Sequence, residues 1–98
     1  MKRRPSKLPP AEAKEWWDNF QKLLDESNEW PSIYIFKFIA PKENIDELKY
    51  VFIGNKIDIK ASSKGKYHSL TSKIMITSSD EVIEIYKRAG SIEGVISL

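Results

Sequence analysis

Cysteine is absent from the 98 residues, which removes disulfides, thiolate metal sites and cysteine nucleophiles together. A single histidine, His68, allows neither a histidine pair nor the His-rich ligand set of a catalytic zinc. The glycines Gly54, Gly65, Gly90 and Gly94 are isolated from one another, so no phosphate loop and no dinucleotide fingerprint can be written. Proline does not recur after Pro41, and from Lys42 onward the backbone is free to form uninterrupted regular structure. No stretch approaches the roughly 18 apolar residues of a membrane helix; the longest, around Ile33 to Phe36, stops at Lys37. The opening MKRRPSKLPP is basic but has no apolar core behind it, so no secretory signal is read. The expectation is a cytoplasmic protein, without cofactor or metal, that does not enter a membrane.

What is present fits one small folded domain. A chain of this length buries only about 65% of its unfolded surface, and its 41% hydrophobic, 11% aromatic and 31% charged residues suit a modest core with a strongly solvated surface. Charge is distributed in blocks. Residues 1–10 carry four basic side chains and no acidic one, residues 11–30 are net acidic, residues 56–77 net basic and residues 78–98 net acidic. Residues 1–10, with three prolines and one large apolar side chain, are expected to form a disordered basic tail.

Residues 11–28 read as an amphipathic helix started by Pro9 and Pro10, since Trp16, Trp17, Phe20, Leu23 and Leu24 recur at helical spacing along one stripe. Residues 29–98 form the domain proper. Ser32 to Ala40, SIYIFKFIA, is the strongest strand signal and is apolar on both faces, as in a strand at the centre of a sheet covered above and below. Asn44 with Glu47 forms a capping-box pattern before Ile45, Leu48 and Phe52, closed by Gly54. Lys56 to Ser62 alternates as a half-buried strand, Ser63 to Lys66 turns, and Tyr67 to Thr77 alternates again. Ser78 with Glu81 repeats the capping box before a helix ending at Gly90, and Val95 to Leu98 suits a closing strand.

The order is therefore a helix followed by βαββαβ. Right-handed crossovers turn that order into a ferredoxin-like α+β sandwich, a four-stranded antiparallel sheet in the order 4-1-3-2 with both crossover helices on one face. The other face then requires a cover, either the N-terminal helix or a second subunit, because monomers rarely expose large apolar patches. Trp16, Trp17 and Phe20 are candidates for that contact surface, and the chain is expected to be a monomer or a homodimer.

Chemistry concentrates around the hairpin. Lys60, Ser62, Ser63, Lys64, Lys66, Tyr67 and His68 group ammonium, hydroxyl and imidazole donors about one turn, a set able to hold a carboxylate or phosphate by charge-assisted hydrogen bonds. The same lysines would also guard a hairpin tip and a sheet edge against self-pairing. His68 as general base would need Ser69 or Ser63 as nucleophile and Asp58 as orienting acid; no spacing enforces their meeting, so no catalytic residue is assigned. RNA recognition is disfavoured, because Tyr67 stands alone where stacking aromatics would be interleaved with basic residues. The expected partner is a protein or a small anionic ligand, bound by a regulatory or adaptor domain that is not an enzyme. The alternative is a module that binds protein through a sheet edge or its N-terminal helix.

The segment SSKGKYHS (Ser62 to Ser69), the closing IYKRAGSIEGVISL (Ile85 to Leu98) and WPSIYIFKF around Pro31 and Lys37 resemble the small bacterial YbeD-like family of unknown function, whose members often carry a lipoate-regulatory label. The resemblance covers about residues 23–98. It implies a ferredoxin-like fold similar to the ligand-binding ACT domains and supplies no catalytic residues. Short members of that family lack the tryptophan-bearing helix of residues 11–27.

Overall fold

A computed structural model describes residues 8–10, 12–62 and 64–98. The elements are α1 (Lys14–Ser27), β1 (Ser32–Pro41), a 3-10 turn (Lys42–Asn44), α2 (Ile45–Val51), β2 (Asp58–Ala61), β3 (Tyr67–Ile76), α3 (Ser79–Gly90) and β4 (Ile96–Ser97). The class is α+β. One four-stranded antiparallel sheet runs β2-β3-β1-β4, which from the β4 edge reads 4-1-3-2. β1 pairs with β3 along its whole length and with β4 at Phe38 and Ile39.

The core lies on one side of this sheet. Alternation along β1 sends Tyr34, Phe36, Phe38 and Ala40 to the buried side, where Leu70 and Ile76 of β3, Leu48 and Phe52 at α2, and Val82 and Tyr86 of α3 join them. Phe36 and Phe38 lie 5.7 and 5.9 Å from Phe52, centroid to centroid, and 5.7 and 5.4 Å from Tyr86. Such ring pairs add about 0.5–1.5 kcal/mol each to their burial.

The expectation that β1 is covered on both faces is overturned. Ile33 is 60% and Ile35 43% exposed, so the strand is interior to the sheet yet wet on one side. The misreading came from composition. β1 carries rings on one face and isoleucines on the other, and its hydropathy alone does not tell an open apolar face from a buried one.

The helix expected to shield that face lies elsewhere. α1 packs against α3, with Phe20 edge-on to Tyr86 at 5.4 Å and Lys87 Nζ 5.5 Å from the Trp17 ring centroid. Gln21 Nε2 donates to Ser79 Oγ and Asp80 Oδ1 at 3.0 and 2.7 Å. Trp17 and Leu24 are buried. The helix begins at Lys14 rather than at the prolines, where Trp17 Nε1 donates to the Pro10 carbonyl at 3.0 Å. Of the residues expected to form a tail, 1–7 lie outside the described residues, and Leu8 packs against Gly90 and the core.

Other sequence-level details are corrected at the element ends. Neither capping box closes. The Asn44 side chain donates to the Glu93 carbonyl at 2.8 Å, and Glu81 Oε1 accepts from the Thr77 N–H at 2.7 Å while Ser78 makes no side-chain cap bond. β2 is exposed at all of its residues rather than half-buried, a four-residue strand at the edge of the sheet. Gly94 holds φ +82°, and a Cβ there would stand 2.6 Å from Pro41 Cγ, so both backbone conformation and space demand glycine.

Two stability predictions follow from the one-sided core. Phe36→Ala should cost about 3–5 kcal/mol in urea titration, whereas Ile35→Thr should cost under about 1 kcal/mol; equal losses would mean that both sheet faces are packed. Gly94→Ala should destabilise by more than about 1 kcal/mol, read as a lowered thermal midpoint, and a neutral result would contradict the tight approach of Pro41.

Candidate functional site

The open face of the sheet can be written from the register. β1 contributes Ile33, Ile35, Lys37 and Ile39; opposite them stand Met75, Lys73, Thr71 and Ser69 of β3, with Tyr67 at the end of the row. β2 adds Asp58 beside Thr71 and Lys60 beside Ser69, and β4 adds Ile96 beside Ile39. The face therefore divides. One end is apolar, with Ile33, Ile35 and Met75 at 60%, 43% and 59% exposure. The other end holds Lys37, Lys60 and most of the hydroxyl groups. Lys37, Lys60 and Lys73 share the face with one acidic side chain, Asp58, and among the described residues none of these four side chains is in an ion pair.

At the Tyr67 end the face dips into a hollow of about 300 Å³ bordered by Lys37, Ile39, Lys60, Tyr67, Ser69 and Leu98, with the hairpin residues Ala61, Ser62 and His68 completing its rim. The hairpin beside it is firmly built. Ser62 N–H donates to the Tyr67 carbonyl at 2.8 Å and Ser62 Oγ accepts from the Tyr67 N–H at 3.3 Å. Gly65, at φ +74°, donates to the Ser62 carbonyl at 2.9 Å. The Lys66 carbonyl accepts from Lys42 N–H at 2.9 Å, which ties the turn to the end of β1.

The sequence-level candidates are thus sorted by position. Lys60, Ser62, Tyr67 and His68 border the hollow, though the Ser62 hydroxyl is engaged in the turn. His68 pairs with Ala40, so alternation puts its side chain toward the covered side. Lys64 and Lys66 are exposed at the tip, away from the hollow, and Ser63 lies outside the described residues. Asp58 pairs with Thr71 on the open face, three positions along β3 from His68 and on the opposite side, so the Ser/His/Asp arrangement is not assembled. Trp17 and Phe20 are drawn into the α1–α3 contact, Trp17 to 3% exposure, and the half-buried Trp16 packs on both within α1. The sequence reading missed Lys37 as a site residue. The signal for Lys37 was the one charge interrupting an apolar strand; Ser69, weighed in the sequence only as a nucleophile, is placed on the open face by its pairing with Ile39.

The family described as "Protein of unknown function (DUF493)" matches residues 25–98. The chain belongs to this family. Curated relatives named "UPF0250 protein" are 31% identical in Shewanella halifaxensis (strain HAW-EB4), and 32% identical in Shewanella oneidensis and in Shewanella baltica (strain OS155). Each alignment spans 79 residues, 74% of this chain and 90% of the relative. No solved structure matches. The DUF493 match bears out the family resemblance read from the hairpin and the C-terminal segment, and it contains every residue of the hollow, whereas most of α1 precedes it. No helix among the described residues is long and apolar enough to cross a membrane.

If Lys37 and Lys60 serve recognition rather than folding, removing them should not harm the fold. Lys37→Ala with Lys60→Ala should change stability by less than about 0.5 kcal/mol in urea titration. A large loss would assign these lysines a structural duty.

Proposed function

We propose that this protein is a non-enzymatic regulatory or adaptor domain that binds an acidic, partly apolar protein surface on its open sheet face. The observation that carries the reading is the face itself: exposed isoleucines and a methionine run into a hollow bordered by unpaired lysines. Contiguous exposed apolar surface marks an interaction site, and the lysines select the sign of the partner. A second copy docked face to face would set lysine against lysine, which favours a different protein as partner. The separation of His68 from Asp58 supports a binding role over acid–base chemistry. We also infer the ferredoxin-like topology; the chain order, the antiparallel sheet and the shared packing of α2 and α3 on Phe36 and Phe38 support it. A chain without cysteine fits the reducing cytoplasm, where we place it.

A small acidic metabolite in the hollow is the second reading, favoured by the hollow's modest volume of about 300 Å³. The two are separated by titrating the protein with an amphipathic Glu/Leu helical peptide, with its Lys/Leu counterpart, and with citrate, while following methyl and amide NMR shifts. The adaptor reading expects the acidic peptide to move Ile33, Ile35 and Ile39 together with Tyr67, and expects Lys37→Glu with Lys60→Glu to weaken it at least tenfold. Shifts from citrate alone, confined to the Tyr67 end, would transfer the site to a small anion; equal response to both peptides would remove it.

A further inference from the structure

β3 outruns its neighbour. Its ladder with β2 ends at the Asp58–Thr71 pair, while β3 continues to Ile76, paired on its other side to β1. Ser62 N–H bonds to the Tyr67 carbonyl across the hairpin. Because inward and outward backbone groups alternate along an antiparallel strand, Tyr67, Ser69 and Thr71 turn theirs toward β2, and Lys73 and Met75 turn theirs the same way. Past Asp58 no strand among the described residues pairs with them, although the chain before β2 stays beside β3 at Lys56, whose carbonyl accepts from Ser72 Oγ at 2.8 Å. Beside this edge lies a hollow of about 470 Å³ between β3 and α3, with Ile74, Ile76 and Ile85 as apolar surface, Asp80, Glu81 and Glu84 as its wall and Asn55, from the chain before β2, at its rim.

The hollow is acidic without a counterion: among the described residues none of the three carboxylates is in an ion pair. Asp80 accepts from Gln21 and Glu81 from the Thr77 N–H; among the described residues Glu84 has no side-chain hydrogen bond. Exposed strand edges are usually guarded by lysine or proline. Lys73 stands on the open face beside Ile35, on the other side of the sheet from the hollow, and Lys56 meets the edge through its carbonyl at Ser72.

We propose that the edge of β3 at Lys73 and Met75 takes up an extended basic segment of another protein as an added strand. Main-chain hydrogen bonds to Lys73 and Met75 hold it, as in other strand additions. Side chains of arginine or lysine that face α3 lay their aliphatic stems along Ile74 and Ile85 and carry their charged ends to Glu84. Charge also rules out a second copy: two β3 edges paired about an axis normal to the sheet would bring both α3 acidic walls together, a like-charge contact without compensation. This site adjoins the open face, to which the side chains of Lys73 and Met75 belong, but it uses their main-chain groups and does not depend on what that face binds.

The test uses the full chain and the peptide acetyl-Val-Arg-Val-Arg-Val-amide, with the Glu-for-Arg peptide as control. Binding should slow amide hydrogen exchange at Lys73 and Met75 at least tenfold, and Glu84→Lys should weaken affinity at least tenfold. Met75→Pro, which deletes the outward N–H at an edge position that tolerates proline, should abolish binding; a peptide N-methylated at its central residues gives the same readout on the unaltered protein. Unchanged exchange at both amides, equal binding of the acidic peptide, or indifference to Glu84→Lys would overturn the proposal. So would Lys73 and Met75 amides already protected in the protein alone, or concentration-dependent dimerisation in sedimentation that Glu84→Lys strengthens.

Discussion

The structure depends on the Tyr86 ring. It touches Phe20 of α1 and Tyr34, Phe36 and Phe38 of β1, with centroids 5.4 to 6.5 Å away, and its hydroxyl lies 3.3 Å from that of Tyr34. One side chain thereby fastens α3 to the sheet and α1 to α3. Because Phe20 meets Tyr86 rather than the sheet, α1 is committed to the helical side. Each large side chain so buried gains about 1.5–3 kcal/mol. Laying α1 across the open face would instead strip water from Lys37, Lys60 and Lys73, at a cost of several kcal/mol for each uncompensated charge. The choice of layer therefore follows from where the rings and the lysines stand.

Much of the fold was legible because its elements carry strong local periodicity. The stripe of Trp17, Phe20 and Leu24 specified a helix, and the alternation from Tyr67 to Ile76 specified a strand. The SKGK segment, Ser63 to Lys66, specified a hairpin. What was not legible was which surface each apolar stripe would meet. Ile33 and Ile35 have the same hydropathy whether buried or wet, and nothing local to Trp17 names α3 rather than the sheet as its partner. The ends of elements failed for a related reason. Asn44 has a capping residue's chemistry, yet the nearby Glu93 carbonyl, distant in sequence, took its amide.

The candidate site divided in the same way. Lys60 and Tyr67 were marked by sequence proximity, and the hairpin placed both on the rim of the hollow. Sequence proximity also grouped Tyr67 with His68, which adjacent positions on a strand send to opposite faces. Lys64 and Lys66 sit at a tip that projects past the sheet. Lys37 entered from a strand thirty residues away, through the pairing of β1 with β3, which only the assembled sheet displays.

The distribution of charge around β3 has a consequence for how occupants would interact. Its face toward solvent is basic, its free edge borders an acidic wall, and the two surfaces share Lys73 and Met75. A strand added at that edge would extend the sheet by one row, carrying every second side chain onto the open face alongside these two residues. Whatever rests on the open face would then touch the added strand directly. If that strand presented basic or apolar groups there, it would enlarge the surface that suits an acidic, partly apolar partner; acidic groups would repel it. Coupling between the two surfaces would thus require no conformational change in the domain, only contiguity across one strand. Its sign would be set by the side chains of the added segment that point away from α3. Both attractions are between exposed charges and are screened over about 8 Å at physiological ionic strength, so the coupling would weaken with salt while the main-chain bonds of the added strand would persist.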